Sequence, residues 1–201
     1  DDVESRGLGD VYKRQIIYGS HYGTTKQYAE ELSRLTHLPL ENEEDVKNIH
    51  DDFIVYLGGL YAGGVKGLKH IVKMIPSQTQ MIVVTIGLAD VQDEQNIKNI
   101  RHALQQQLSP ELFHGSKFFH LRGGIDYSKL SFKHKTMMTL LYKVTKNKPR
   151  ENMTAEDQAM VDSYNKKVDF VDFQALKPIV EEINFIMQGE SKWEKDIKRN
   201  L

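Results

Sequence analysis

The chain has 201 residues, 39% of them hydrophobic and 27% charged, with a net charge of −1. That length can bury one sheet-and-helix core, and no apolar run approaches the ~20 residues a membrane-spanning helix needs. Cysteine is absent. This excludes disulfides, thiolate nucleophiles, iron–sulfur ligation and Cys-type zinc sites, so any redox chemistry must come from a bound cofactor.

Residues 1–15 show no core-like apolar periodicity and read as a non-native leader, with Gly9 to Gln15 resembling translated adapter sequence. No signal-peptide core precedes the first strand, so the expected compartment is the cytoplasm. From Ile16 onward, strands and helices alternate as in a βαβ series with a parallel sheet. Ile16-Ile17-Tyr18 ends the first strand, and a helix over about 24–35 places Tyr28, Leu32 and Leu35 on one face. A weak second strand is expected near His37 to Leu40. Phe53 to Leu57 is a buried strand closed by Gly58-Gly59, followed by a helix over about 66–75 that Pro76 stops. Met81 to Ile86 is the next strand, and Asp93 caps a helix running to about Leu108. Lys117 to Leu121 is the last strand, ended by Gly123-Gly124, and the final helix spans about 173–187.

Residues 126–169 interrupt this rhythm and are too long for an αβ connection, so they read as an insertion before the last helix. The domain itself is expected over 16–188, with a polar C-terminal tail at 189–201.

Between the first strand and first helix lies Ser20-His21-Tyr22-Gly23-Thr24-Thr25. Free N–H groups at a helix start, the helix dipole and the hydroxyls of Ser20, Thr24 and Thr25 can hold a phosphate without a lysine. Gly23 permits close backbone approach. Such a loop suits a phosphate monoester that stays bound. It is neither a Walker A loop nor the G-x-G-x-x-G dinucleotide loop. A plain helix N-cap is the competing reading. The position after strand one of a doubly wound series favours a ligand, because ligands sit at the C-terminal ends of the strands.

The Ser-x-x-Gly-x-Thr pattern of Ser20, Gly23 and Thr25 resembles the flavodoxin superfamily. Gly58-Gly59-Leu60-Tyr61-Ala62-Gly63, the strand end Arg122-Gly123-Gly124-Ile125-Asp126-Tyr127 and the insertion resemble its single-domain menaquinone-dependent protoporphyrinogen dehydrogenase group. The resemblance implies an α/β three-layer sandwich with a five-stranded parallel sheet in the order 2-1-3-4-5, and FMN as cofactor. Carried over by position, Ser20, Tyr22, Gly23, Thr24 and Thr25 would hold the phosphate, and His21 inside the loop either helps hold it or is a solvated loop residue. Leu60, Tyr61, Ala62 and Gly63 would line one flavin face, and Thr85, Gly87, Leu88, Ala89 and Asp90 would form the second flanking loop. Gly87 to Asp90 offers no aromatic ring, so Tyr61 is the candidate for stacking, against the alternative of a surface tyrosine.

The eight histidines form no zinc-binding spacing, so no metal is expected, and no G-x-S-x-G elbow supplies a nucleophile. Glu41 to Asp45 reads as a solvated acidic connection. The span Lys129 to Arg150 holds seven basic residues and no acid, whereas the rest of the chain carries 20 bases against 28 acids. Wound as a helix, Met137, Leu140, Leu141 and Val144 share one face and Lys135, Thr139, Lys143 and Lys146 the other. That pattern fits either an anionic membrane surface at residues 129–150 or ordinary packing on the domain, and it argues against nucleic acid.

Three functions remain open at this level. An FMN-dependent oxidoreductase would pass electrons through flavin to a quinone, peripherally at the inner face of the membrane. A soluble carrier would serve a redox partner protein, and an interaction module would lack FMN. No side chain stands out as a general acid or base.

Overall fold

The computed structural model describes residues 13–61, 63–76 and 78–199, with side chains up to residue 189. The elements in chain order are β1 (Arg14–Gly19), α1 (Thr24–Thr36), β2 (Leu40–Asn42), β3 (Phe53–Tyr61), β4 (Gly64–Val65), α2 (Leu68–Ile71) and β5 (Gln80–Gly87). They continue as α3 (Glu94–Gln105), α4 (Pro110–Gly115), β6 (Lys117–Arg122), β7 (Gly124–Asp126), α5 (Phe132–Thr145), α6 (Ala155–Ser163), β8 (Lys167–Asp169) and α7 (Lys177–Arg199).

The central strands are continuous apolar runs because helices cover both faces of a parallel sheet. Alternation then divides them between two cores. Phe53, Val55 and Leu57 of β3 pack with Ile16 of β1, Tyr28 and Leu32 of α1, and Ile179 and Ile183 of α7. Ile54 and Tyr56 face the opposite way, with Ile17, Leu68, Ile100, Leu104 and Phe113. Five strands run parallel in the order β2-β1-β3-β5-β6. Because β4 is only an antiparallel return on β3, this is the expected 2-1-3-4-5 order within a three-layer α/β sandwich.

Several boundaries differ from the sequence reading. β1 starts at Arg14, which pairs with Phe53, so Arg14 and Gln15 are strand residues; residues 1–12 of the expected leader lie outside the described residues. β2 lies at 40–42 because His37 adopts φ 58° to close α1 and the chain needs Leu38 and Pro39 to reach the sheet edge. The helix expected over 66–75 shortens to Leu68–Ile71 and continues as turns to Pro76. The helix expected to reach Leu108 stops at Gln105, and Ser109, with Pro110 at the first helical position, starts α4 instead. α7 continues without a break past residue 187 to Arg199.

The acidic connection is not simply solvated. Glu43 is buried, its amide donates to Tyr18 O at 2.9 Å, and its carboxylate pairs with Lys66 Nζ at 2.7 Å. Glu44 takes the same ammonium at 2.9 Å from the exposed side.

The insertion has its own framework. β7 and β8 pair antiparallel, with Gly124 opposite Asp169 and Asp126 opposite Lys167, which brings the two ends of the segment together. Ile125, Tyr127, Leu130 and Met138 form a small core there, against which Tyr22 and Leu88 of the main domain pack. The inserted helices are thereby fixed over the C-terminal end of the sheet.

Candidate ligand-binding cleft

β1 delivers the loop 20–23 to the N-terminus of α1. Gly23 is the N-cap residue at φ 89°, a left-handed conformation that a side chain resists. Its N–H donates to Ser20 Oγ at 3.1 Å, so Ser20 shapes the turn. No side chain caps α1 and its first turn holds no acid, whereas Asp93, Ser109, Ser131 and Thr154 cap α3 to α6 in turn. The start of α1 therefore keeps its positive dipole end for an incoming anion.

A cleft of about 760 Å³ opens beside that helix start, with Thr24 and Thr25 in its wall. Thr25 is buried, and Gly59 admits its hydroxyl closely: a methyl group at Gly59 would sit 3.1 Å from Thr25 Oγ1. Gly123 does the same for Thr24, since a methyl there would lie 2.9 Å from Thr24 Oγ1 and 2.6 Å from Ile86 Cγ2. Leu60 at the end of β3 and Leu88 after β5 supply apolar walls. The loop after β5 is held by Arg122, whose Nη2 and Nε donate to Leu88 O at 3.1 and 3.3 Å while its guanidinium lies 3.7 Å over the Phe170 ring.

The expected site residues separate into two groups. His21, Tyr22, Thr24, Thr25, Leu60, Tyr61, Gly63, Gly87 and Leu88 line the cleft. Ser20 and Gly23 build the turn beneath it. Thr85 is buried with its hydroxyl 2.7 Å from His120 Nδ1, in the sheet and not in the cleft wall. Ala89 is buried, and Asp90 uses its carboxylate locally, accepting Gln92 N at 2.9 Å. Ala62 lies outside the described residues. Asp93 is a helix cap, accepting Asn96 N at 2.8 Å.

The insertion supplies what sequence reading did not place. Tyr22 donates to Met138 Sδ at 3.5 Å, and Tyr61 donates to Met137 Sδ. The His21 ring lies 4.5 Å from that of Tyr61 and 5.2 Å from that of His134. Burial, then Lys66 and His134, lower the His21 pKa, so the loop imidazole favours its neutral form. Burial pushes the Tyr22 phenol up to about 12, with Tyr61 and Tyr127 adding to it.

α6 brings Glu156 against Gly87 at the end of β5, in the cleft wall. Its Oε1 is buried and has no hydrogen-bond partner, and a methyl group at Gly87 would overlap it. The sequence signal for this residue is indirect. Thr154 and Asp157 form a capping box, which puts Glu156 in the first turn of a helix but says nothing of what that turn touches. Among the described residues, no cluster of His, Asp or Glu could hold a metal ion.

The chain matches the flavodoxin domain family over residues 15–152. No curated protein matches it. Among solved structures it is similar to a flavoprotein in complex with FMN from Lactobacillus acidophilus, at 14% identity over 56% of this chain and 93% of that one, with a TM-score of 0.38. It is also similar to a single-residue variant of flavodoxin from Pseudomonas aeruginosa, at 16% identity over 65% of this chain and 95% of that one, with a TM-score of 0.36. With the family match covering most of the chain and the sheet in its characteristic order, this chain belongs to the flavodoxin domain family.

Proposed function

We propose that the cleft binds FMN and that the domain transfers electrons through it. The observation that carries this reading is the uncapped, acid-free start of α1, opening with the buried Thr25 into a cleft walled by Leu60 and Leu88. The donor set fits a phosphate monoester, and the close glycines leave room for a flat ring. A volume of about 760 Å³ suits a cofactor of this size. Bound there, the isoalloxazine would supply one- and two-electron chemistry. The chain's own contribution is to orient the phosphate at α1, to exclude water with Leu60, Leu88 and Ile86, and to cover the mouth with Tyr22, Tyr61 and the insertion. Purified protein is expected to be yellow and to release FMN, not FAD, on denaturation, since no second pyrophosphate loop is present. Colourless protein that FMN cannot reconstitute overturns the reading in favour of an interaction module.

A membrane-surface site for this chemistry, with a quinone as acceptor, is favoured by α5. In α5, Met138 and Thr145 point inward, and Met137 is only partly buried beside them. Phe132 is 88% exposed, Leu140 60% and Val144 67%, so the outward face is apolar. Lys133 and Lys143 sit on that same face and make no ion pair among the described residues. Charge complementarity points to anionic lipid. No helix among the described residues is long and apolar enough to cross a membrane. Wild-type protein is expected to sediment with phosphatidylglycerol vesicles at low salt and to be released as salt rises. Lys133→Glu with Lys143→Glu removes roughly 1 kcal/mol of attraction per lysine and adds repulsion, so partitioning falls at least about tenfold while FMN content is unchanged. Equal sedimentation of both proteins, or none of either, transfers the assignment to a soluble carrier with a protein partner.

A further inference from the structure

The insertion places one carboxyl group in the cleft whose bonding is incomplete. Glu156 is the second helical residue of α6, and the box formed by Thr154 and Asp157 fixes the turn that carries it. Its Oε1 is buried, unpartnered and pressed toward Gly87, beside Leu60 Cδ1, which a methyl group at Gly87 would meet at 2.7 Å. A buried carboxylate oxygen left without a donor is costly, so its retention calls for a partner. The backbone N–H groups of Ala89 and Leu88 act on the carboxyl group, yet Oε1 has no hydrogen-bond partner among the described residues. Glu156 is part of the cleft wall.

We propose that Glu156 is a ligand-contacting residue of the cleft, accepting at Oε1 a hydrogen bond from an imide-type N–H of the bound ring, so that binding is coupled to ionisation of the carboxyl. The proposal rests on the FMN reading, because isoalloxazine carries an N–H of that kind.

The surroundings decide the sign of the coupling. Burial raises the proton affinity of Glu156; the backbone N–H groups of Ala89 and Leu88 oppose this, Asp157 on the same helix adds to it, and Arg122 at the end of β6 opposes it. Asp157 is itself paired with Lys148 at 2.9 Å. His102 on α3, His21 and Tyr22 on the phosphate loop and Tyr61 at the end of β3 are the other titratable groups of the same cleft. A ring N–H offered to Oε1 stabilises the ionised form. Binding therefore releases the proton that burial had favoured, and affinity rises with pH through the carboxyl's titration.

Dissociation constants of FMN and riboflavin, measured by flavin fluorescence across pH, test this. Riboflavin has the same ring without the phosphate, whose second ionisation near pH ~6 would overlap. In wild-type protein, riboflavin affinity should climb by at most about tenfold per pH unit, as one proton requires. Glu156→Gln keeps the side-chain volume and one oxygen acceptor but cannot ionise. Its riboflavin curve should be flat, and its affinity at high pH lower than wild type by about tenfold or more, the usual loss for a hydrogen bond to a buried charge. Glu156→Asp, which keeps the carboxyl, should retain a pH dependence, and thermal melting of both variants verifies that they fold. Parallel pH curves for wild type and Glu156→Gln overturn the role of Glu156 and leave FMN binding intact. Wild-type protein that binds neither flavin removes the FMN reading itself.

Discussion

Thr25→Asp is expected to weaken FMN binding by at least about hundredfold. Thr25 is 3% exposed and its hydroxyl borders the cleft at the start of α1. An aspartate there puts a carboxylate against a phosphate that carries about −1.5 to −2 charges near neutral pH. Two unit charges about 4 Å apart at an effective dielectric near 20 repel by roughly 4 kcal/mol, about three orders of magnitude in affinity. Solvent entering through the cleft reduces that figure, which is why the expectation is set lower. Thr25→Ser keeps the hydroxyl and should stay within a few-fold of wild type. Isothermal titration of apoprotein with FMN separates the two variants. Equal affinities for wild type and Thr25→Asp would place the phosphate somewhere other than the start of α1.

The largest loss of stability is expected at Tyr28. This residue is fully buried in α1, and its hydroxyl donates to Arg122 O at 2.8 Å while accepting Asp172 N at 2.8 Å. Its ring meets Phe173 edge-on at 5.7 Å. One side chain thus ties the phosphate-loop helix to the end of β6 and to the chain leaving the insertion. Tyr28→Ala should cost about 3–5 kcal/mol for the cavity, with further loss from the two orphaned backbone groups. Against a total stability of about 5–15 kcal/mol for an ordinary domain, that leaves the variant near unfolding. Tyr28→Phe keeps the ring and removes only the hydroxyl, costing about 1–3 kcal/mol. At roughly 2–4 °C per kcal/mol for a chain of this size, its melting temperature should fall by several degrees. A Tyr28→Phe protein melting at the wild-type temperature would show that the bridge between Arg122 and Asp172 contributes nothing.

The α5 result illustrates how an amphipathic pattern can settle a helix and leave open which face turns to the domain. Leu140 and Val144 share a stripe in any helix, and the stripe invites burial. The segment instead anchors through Met138 and Thr145, because Tyr22 and the Ile125 and Tyr127 core lie on that side. Helical spacing says which residues stand together. It does not say which group turns toward the domain.

The sequence by itself determined the alternation of elements, the two-sided burial of β3 and β5, the turn at Gly23 and the inserted segment. Each is local: apolar runs of β-branched residues, a glycine at positive φ, and an excess of chain over what a connection needs. The strand order followed from resemblance, and the register confirmed it. Tertiary structure alone decided the rest. Glu43 is a solvated acid in sequence but is buried in the fold because Lys66, twenty-three positions later, reaches it. Thr85 belongs to the expected flavin loop, yet its hydroxyl is taken by His120 from the neighbouring strand. Glu156 has the same helix-start chemistry as any capping-box acid, and only the docking of α6 on the Gly87 loop makes it part of a cleft. In all three the deciding partner is remote in sequence. The free energy of a buried polar group is set by its neighbours in space, which local pattern does not specify.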